Sequence, residues 1–258
     1  MQTLPGLDIV RCMTAPVRAI SVDGVMPLME VRFSPFNVWY EISSFWEGDF
    51  LERTVPGAYK KTIAESRDSI KSLFDHGFDP SIGNKVLGSI EDLREDPDTG
   101  AGDVRLFDTS YVRDLLPGLE AGVYGSSMRF RVIKEEWNDE PGASDYNPRG
   151  LPERTITEAR LFEFGPVTWP ANPSATAGVR SATDDFYEQL RSRDPHKVDE
   201  LMRAREARTP DLTAAGPATA RSEGAAEPDT DEPGESHSGG PTHAQRRERL
   251  HPYLTPKE

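Results

Sequence analysis

A mainly β barrel or sandwich with helices packed outside it is the fold class that this sequence predicts. Up to about Ser181 the chain is dense in aromatic and β-branched residues, the composition of half-buried strands. Those residues fall in short runs separated by turn signals. Only two short helical segments interrupt them, so the sheet has to supply the core and the helices cover it.

The first strands expected are Val17–Val22 and Met29–Phe33. A helix over Lys60–Ser66 follows the turn residues of VPGAY. Strands over Ile70–Phe74, Val86–Leu93 and Gly102–Phe107 come next. A second helix is expected from Ser110 to Leu116, with Pro117 and Gly118 ending it. Val123–Ile133 and Thr155–Trp169 complete the set, and Pro166, Pro170 and Pro173 in GPVTWPANP end the last strand and fix a turn. There is no internal repeat.

Beyond Ser181 the composition shifts to Ala, Pro, Gly, Glu and Asp. In DDFYEQLRSRDPHKVDELMRAREA, Phe186 and Leu190, then Val198, Leu201 and Met202, recur at helical spacing, and Pro195 divides the helix in two. An exposed linker helix and a docking or assembly helix both fit that pattern. Farther on, the EGAAEPDTDEPGE run has six acids and no base. Such a segment buries too little apolar surface to offset chain entropy, which predicts disorder. The expected organisation is a folded domain over 1–181, a helical linker over 182–209 and a disordered acidic Pro/Ala-rich tail over 210–258.

A net charge of −14 argues against a general nucleic-acid binder, which carries a basic patch or stripe. Cys12 is the single cysteine, so neither an intrachain disulfide nor a thiolate metal cluster can form within one chain. The N-terminal segment lacks an apolar core of signal-peptide length, and no membrane-spanning apolar run occurs. The expectation is a soluble, cytoplasmic protein with neither nucleic-acid nor membrane partners.

The run VYGSSMRFRVI holds two adjacent serines, and strand alternation separates them. Ser126 shares a face with Tyr124, Met128, Phe130 and Val132. Ser127 shares the other with Arg129 and Arg131, so if the apolar face is the core, Ser127 is the one open to a substrate. A serine hydroxyl needs a base, usually a histidine oriented by a carboxylate. Four of five histidines, His196, His237, His243 and His251, lie in the helical stretch or the tail, which leaves His76 in KSLFDHGFDPSIG. A strand end delivers a side chain to a site edge in this way, although a lone histidine in a turn is more often a solvated surface residue. Glu163, between Phe162 and Phe164, is placed by alternation on a face with Ala159 and Leu161. There a carboxylate is costly unless paired, and an imidazole suits it; a half-exposed edge glutamate is the other reading.

Taken together, VPGAYKKTI, FDHGFDPSIGNKVLG, GSSMRFRV and RTITEARLFEFGPVTWPANPSA resemble the prohead serine proteases of tailed phages in order and approximate spacing, from about Phe36 to Ser181. The resemblance implies a fold similar to the herpesvirus assemblins, a β-barrel with surrounding helices. It also implies a serine endopeptidase that cleaves scaffold and capsid proteins, and itself, inside the immature capsid in the host cytoplasm. Partners implied are the major capsid protein, its scaffold segment and further copies of this chain. Carried over by position, Ser127 is the nucleophile, His76 the base and Glu163 the carboxylate that orients it; no cofactor or metal is needed. Two positions depart from the pattern: Gly77 stands where an acid or amide is common, and Arg129 where glycine is common. Oxyanion donors are then expected either from backbone N–H groups near Met128 and Arg129 or from the Arg129 guanidinium, a solvated strand arginine being the alternative. By composition the tail reads first as a solvated extension; the resemblance also allows a scaffold-like role in capsid targeting with removal by self-cleavage, and THAQRRERLHPYLTPKE as a capsid-docking peptide is the lesser reading, since short basic patches are common on tails. A reading from another class is a non-catalytic capsid assembly or scaffolding protein that retains the protease fold.

Overall fold

Strands that are apolar on one face must bury that face, and here they do so by curling into a nearly closed ring. The computed structural model describes residues 3–22, 25–170 and 178–207. The predicted tail over 210–258 and Pro173 lie outside the described residues.

The chain runs through β1 (Ile9–Pro16), β2 (Arg18–Val22), β3 (Val25–Pro35), β4 (Tyr40–Ser44), β5 (Gly48–Thr54), α1 (Lys60–Ser66), β6 (Lys71–Ser72), β7 (Gly88–Glu95), β8 (Thr99–Leu106), α2 (Ser110–Ala121), β9 (Gly125–Asn138), β10 (Glu153–Val167), β11 (Val179–Ser181), α3 (Thr183–Arg193) and α4 (Pro195–Glu206). One sheet has the order β11-β1-β9-β10-β5-β4, with β6 also on β10; the other has the order β2-β3-β8-β7. Because β1 continues almost directly into β2, and Phe36 at the end of β3 bridges Thr54 at the end of β5, the path β1/β2-β3-β5-β10-β9 returns to β1. The closure is partial, and β2, β4, β7 and β11 remain the outer strands of the two sheets. Inside, Phe33 packs 5.3 Å from Phe164 and 5.5 Å from Tyr59, and Met128, Phe130 and Leu161 are among the other buried side chains of the core. The mainly β architecture with outer helices is what the composition predicted.

Individual elements differ from expectation for identifiable reasons. Strands β1 and β5 were not expected, because they carry charged residues at buried positions, and β4 and β11 were not expected because they are short, at five and three residues. Arg11, Glu52 and Arg154 are buried, and Arg11 Nε donates to Glu52 Oε1 at 2.7 Å while Arg154 Nε donates to Glu52 Oε2 at 2.8 Å. Arg11 also donates to both oxygens of Glu47, at 2.8 and 2.6 Å, and Tyr40 donates to Glu52 at 2.7 Å. Paired in this way the charges are tolerated inside, but they erase the apolar alternation. Helix α2 does not stop at Pro117. It runs on to Ala121, and Gly122 ends it at φ 66°, with the Val123 and Gly122 N–H groups donating back to the Gly118 and Leu119 carbonyls. Of the expected strand Ile70–Phe74, only Lys71–Ser72 pairs, and the chain then turns sharply.

Pro195 does divide the C-terminal helical stretch, as α3 and α4, and neither piece is loose. Phe186, Tyr187, Val198 and Leu201 are buried, Thr183 Oγ1 accepts from the Val10 N–H and the Tyr187 hydroxyl accepts from the Asp8 N–H. Helix α3 is thereby fastened to β1.

Burial by itself raises the Glu52 carboxyl, but Arg11 and Arg154 outweigh it and hold the group down to about 2. That stabilisation is complete above the ordinary carboxylate range and is lost as pH falls through about 2. Glu52→Ala is expected to lower the unfolding free energy by about 3–5 kcal/mol, because two buried guanidinium groups lose a shared partner; urea denaturation at pH 7 measures it.

Candidate active site

The site forms on the outer face of the β9–β10 pair. Ser126, Met128 and Phe130 point into the barrel, and Ser126 Oγ donates to the Arg32 carbonyl at 2.7 Å. Ser127 points the other way, as alternation requires. It is not open, however. Ser127 is only 1% exposed, because the turn carrying His76 and the side chain of Cys12 close over it.

Glu163 reaches the same face through an irregularity that alternation could not show. Leu161 pairs with Phe130 but Glu163 pairs with Arg129, so two steps along β10 match one along β9. This bulge rotates Glu163 away from Leu161 and onto the face of Ser127. Two residues further, Gly165 lies opposite Ser127, and a methyl group there would overlap the Leu73 carbonyl oxygen. The bare glycine lets the chain around β6 lie directly on β10. From there Asp75, His76 and Gly77 turn with φ of 48°, 56° and 77°, three successive left-handed residues. Arg193 of α3 donates to the carbonyls of Gly77 and Phe78 at 2.8 and 3.1 Å, and Phe186 packs edge-on against the imidazole.

The turn delivers His76 between the other two residues. Its Nε2 lies 2.7 Å from Ser127 Oγ and its Nδ1 lies 2.6 Å from Glu163 Oε1. Ser127 Oγ also lies 3.0 Å from the Arg11 carbonyl and accepts from Cys12 Sγ at 3.2 Å. The serine has one proton and two acceptors in reach. When the imidazole is charged, Nε2–H donates to Oγ and the serine donates to Arg11; when it is neutral, Nε2 takes the serine proton's bond instead. Burial favours the neutral ring, but the charge of Glu163 beside it outweighs burial and pushes His76 up to about 10.

Met128 and Arg129 are placed differently from their expected roles. The Met128 side chain faces the interior, where Sδ accepts from the Tyr59 hydroxyl at 3.3 Å. Over this stretch β9 is flanked by β1 and β10, so its backbone N–H groups are directed at neighbouring strands rather than at an open site. The Arg129 guanidinium donates to Asp8 at 3.1 Å and lies 3.5 Å from Glu163. It is neither a free donor beside Ser127 nor a solvated residue. Cys12, Asp8 and Phe186 were not foreseen as neighbours of the site, and only the β1–β9 register, in which Cys12 pairs with Ser127, brings the first of them there. Among the described residues no cluster of three or more His, Cys, Asp or Glu is arranged to hold a metal ion, and no helix is long and apolar enough to cross a membrane.

The profile of a family described as caudovirus prohead serine protease matches residues 30–189. Among curated proteins nothing matches. Among solved structures, the capsid assembly protease of bacteriophage T4 aligns over 55% of this chain and 98% of its own, at 14% identity and a TM-score of 0.31.

Since His76 is raised, the stability it contributes is present below its ordinary value of 6.5 and is lost as pH rises through about 10. Imidazole NMR is expected to show His76 charged at pH 8, and Glu163→Gln is expected to bring its midpoint down by several pH units. An unchanged midpoint in Glu163→Gln would contradict the assignment of the pair.

Proposed function

This chain belongs to the caudovirus prohead serine protease family, and from that premise we propose that it is an endopeptidase using Ser127, His76 and Glu163. Its role is proteolytic, in phage capsid maturation. The observation that carries the residue assignment is the pair of contacts made by one imidazole, 2.7 Å to the serine oxygen and 2.6 Å to the carboxylate. Ser127 Oγ attacks the peptide carbonyl as His76 Nε2 takes its proton. His76 then returns that proton to the leaving amine, and water releases the acyl-enzyme. Glu163 holds the ring through Nδ1 and stabilises the imidazolium that forms.

The same contacts imply a resting state. A ring charged at neutral pH cannot accept the serine proton, so the free enzyme is held back until His76 loses its charge. We read the substrates as the major capsid protein, its scaffold segment and this chain itself, cleaved within the immature capsid in the host cytoplasm, where copies of the protease associate. A purely scaffolding role gives no reason for a strained histidine turn to be held against a serine and a buried glutamate.

Co-expression with the cognate capsid protein, followed by intact mass, tests the proposal. Ser127→Ala is expected to abolish cleavage. Ser126→Ala, which loses a bond to the Arg32 carbonyl on the opposite face, is expected to cost about 1 kcal/mol of stability and leave cleavage near wild type. Equal cleavage by wild type and Ser127→Ala would overturn the assignment. The kcat/KM profile of the free enzyme is expected to climb from neutral to alkaline pH, following loss of the His76 proton.

A further inference from the structure

We propose that Arg129 is a positioning residue for Glu163, and that Asp8, Arg129, Glu163 and His76 form one chain of alternating charge that sets the protonation of the imidazole facing Ser127. The inference rests on the catalytic reading above and adds two residues to it.

Geometry leaves the guanidinium little choice of position. Its Nη1 donates to Asp8 Oδ2 at 3.1 Å and its Nε lies 3.5 Å from Glu163 Oε1, the same oxygen that meets His76 Nδ1 at 2.6 Å. Phe162, the residue pushed out at the β10 bulge, lies 5.4 Å from the guanidinium, and Phe186 of α3 lies 5.5 Å from it. Such packing removes rotamers and holds the cation in place. Asp8, whose side chain is 5% exposed, is held in turn by Arg131 Nε at 3.1 Å, and its backbone N–H donates to the Tyr187 hydroxyl at 2.8 Å. Both ends of Arg129 therefore meet carboxylates, one of them the partner of His76.

Other charged or titratable groups face the pair from every side. Asp75 precedes His76 in the turn, Cys12 comes from β1 and Arg131 from β9. Lys71 of β6 pairs in register with Glu163 but turns its Nζ to the Asp68 carbonyl, and Arg193 of α3 is bonded to the carbonyls after His76. Within this set only Arg129 has its cation on the Glu163 oxygen that His76 also uses. A fixed positive charge there opposes a second one on the imidazole, and Asp8 offsets it. Removing Arg129 therefore raises the His76 midpoint, whereas removing the charge of Asp8 lowers it. A role confined to packing has no reason to give shifts of opposite sign.

The test is an imidazole NMR titration in the full chain carrying Ser127→Ala, which cannot cleave itself by the proposed route, with His76 assigned by its loss in His76→Gln. Arg129→Met is expected to move the His76 midpoint up by about one pH unit, Asp8→Asn to move it down, and Arg129→Lys to stay near the parent. With Ser127 restored, labelling of Ser127 by a fluorophosphonate at pH 8 is expected to be about tenfold slower in Arg129→Met, the consequence of one unit below the midpoint. Shifts of the same sign in Arg129→Met and Asp8→Asn, or no shift in either, overturn the proposal. Should Arg129→Met not fold, Asp8→Asn and Arg129→Lys still decide it. If the wild-type serine is not labelled at all, the catalytic reading fails, while the titration continues to test the charge chain by itself.

Discussion

The register of the β9–β10 ladder is the constraint on which the rest of the site depends. Ser127 and Glu163 lie on different strands, and their side chains share a face only because the bulge after Leu161 shifts β10 by one residue. Gly165, two residues further, is the bare position across from Ser127 on which the Leu73 backbone rests. From that contact the chain has only three residues to reach His76, and it covers them with a turn in left-handed conformations. Bulge, glycine and turn act as one device, since each places the chain for the next.

Two charge systems meet on β10. Inside, Arg11, Glu47, Glu52 and Arg154 satisfy one another and join β1, β5 and β10. Outside, Asp8, Arg129, Glu163 and His76 alternate in sign. The inner system serves the outer one through β1. Arg11 is fixed in the core by its side chain, and its carbonyl is the second acceptor within reach of the Ser127 hydroxyl. Buried pairs of this kind add little net stability compared with apolar packing, but removing one partner leaves a charge stranded. Their effect here is on geometry: they hold β1 in the register that brings Cys12 against Ser127.

Sequence reading was strongest where local chemistry and burial agree. The α1 boundaries, the central β9 and β10 strands and the helix break at Pro195 follow from spacing and turn residues. It was weakest where charges go inside. VRC in β1 and GDFLERT in β5 look like surface segments until their partners on distant strands are known. Pro117 misled for a related reason: its missing N–H costs one bond, and the rest of the amphipathic face, with Val112, Leu115 and Leu119 buried, carries the helix to Gly122.

From the sequence alone came the mainly β class, the separation of Ser126 from Ser127 and the choice of His76 and Glu163 as candidates, because period-two alternation and the scarcity of histidines are local facts. Tertiary structure alone decided that Ser127 is covered, that Glu163 leaves the face of Leu161, and that Arg129 turns to Asp8 and Glu163. The physical reason is the same in each case. A bulge, a charge partner and a covering turn are relations between strands and segments distant in sequence, and nothing in the local pattern of one segment records what the others bring to it.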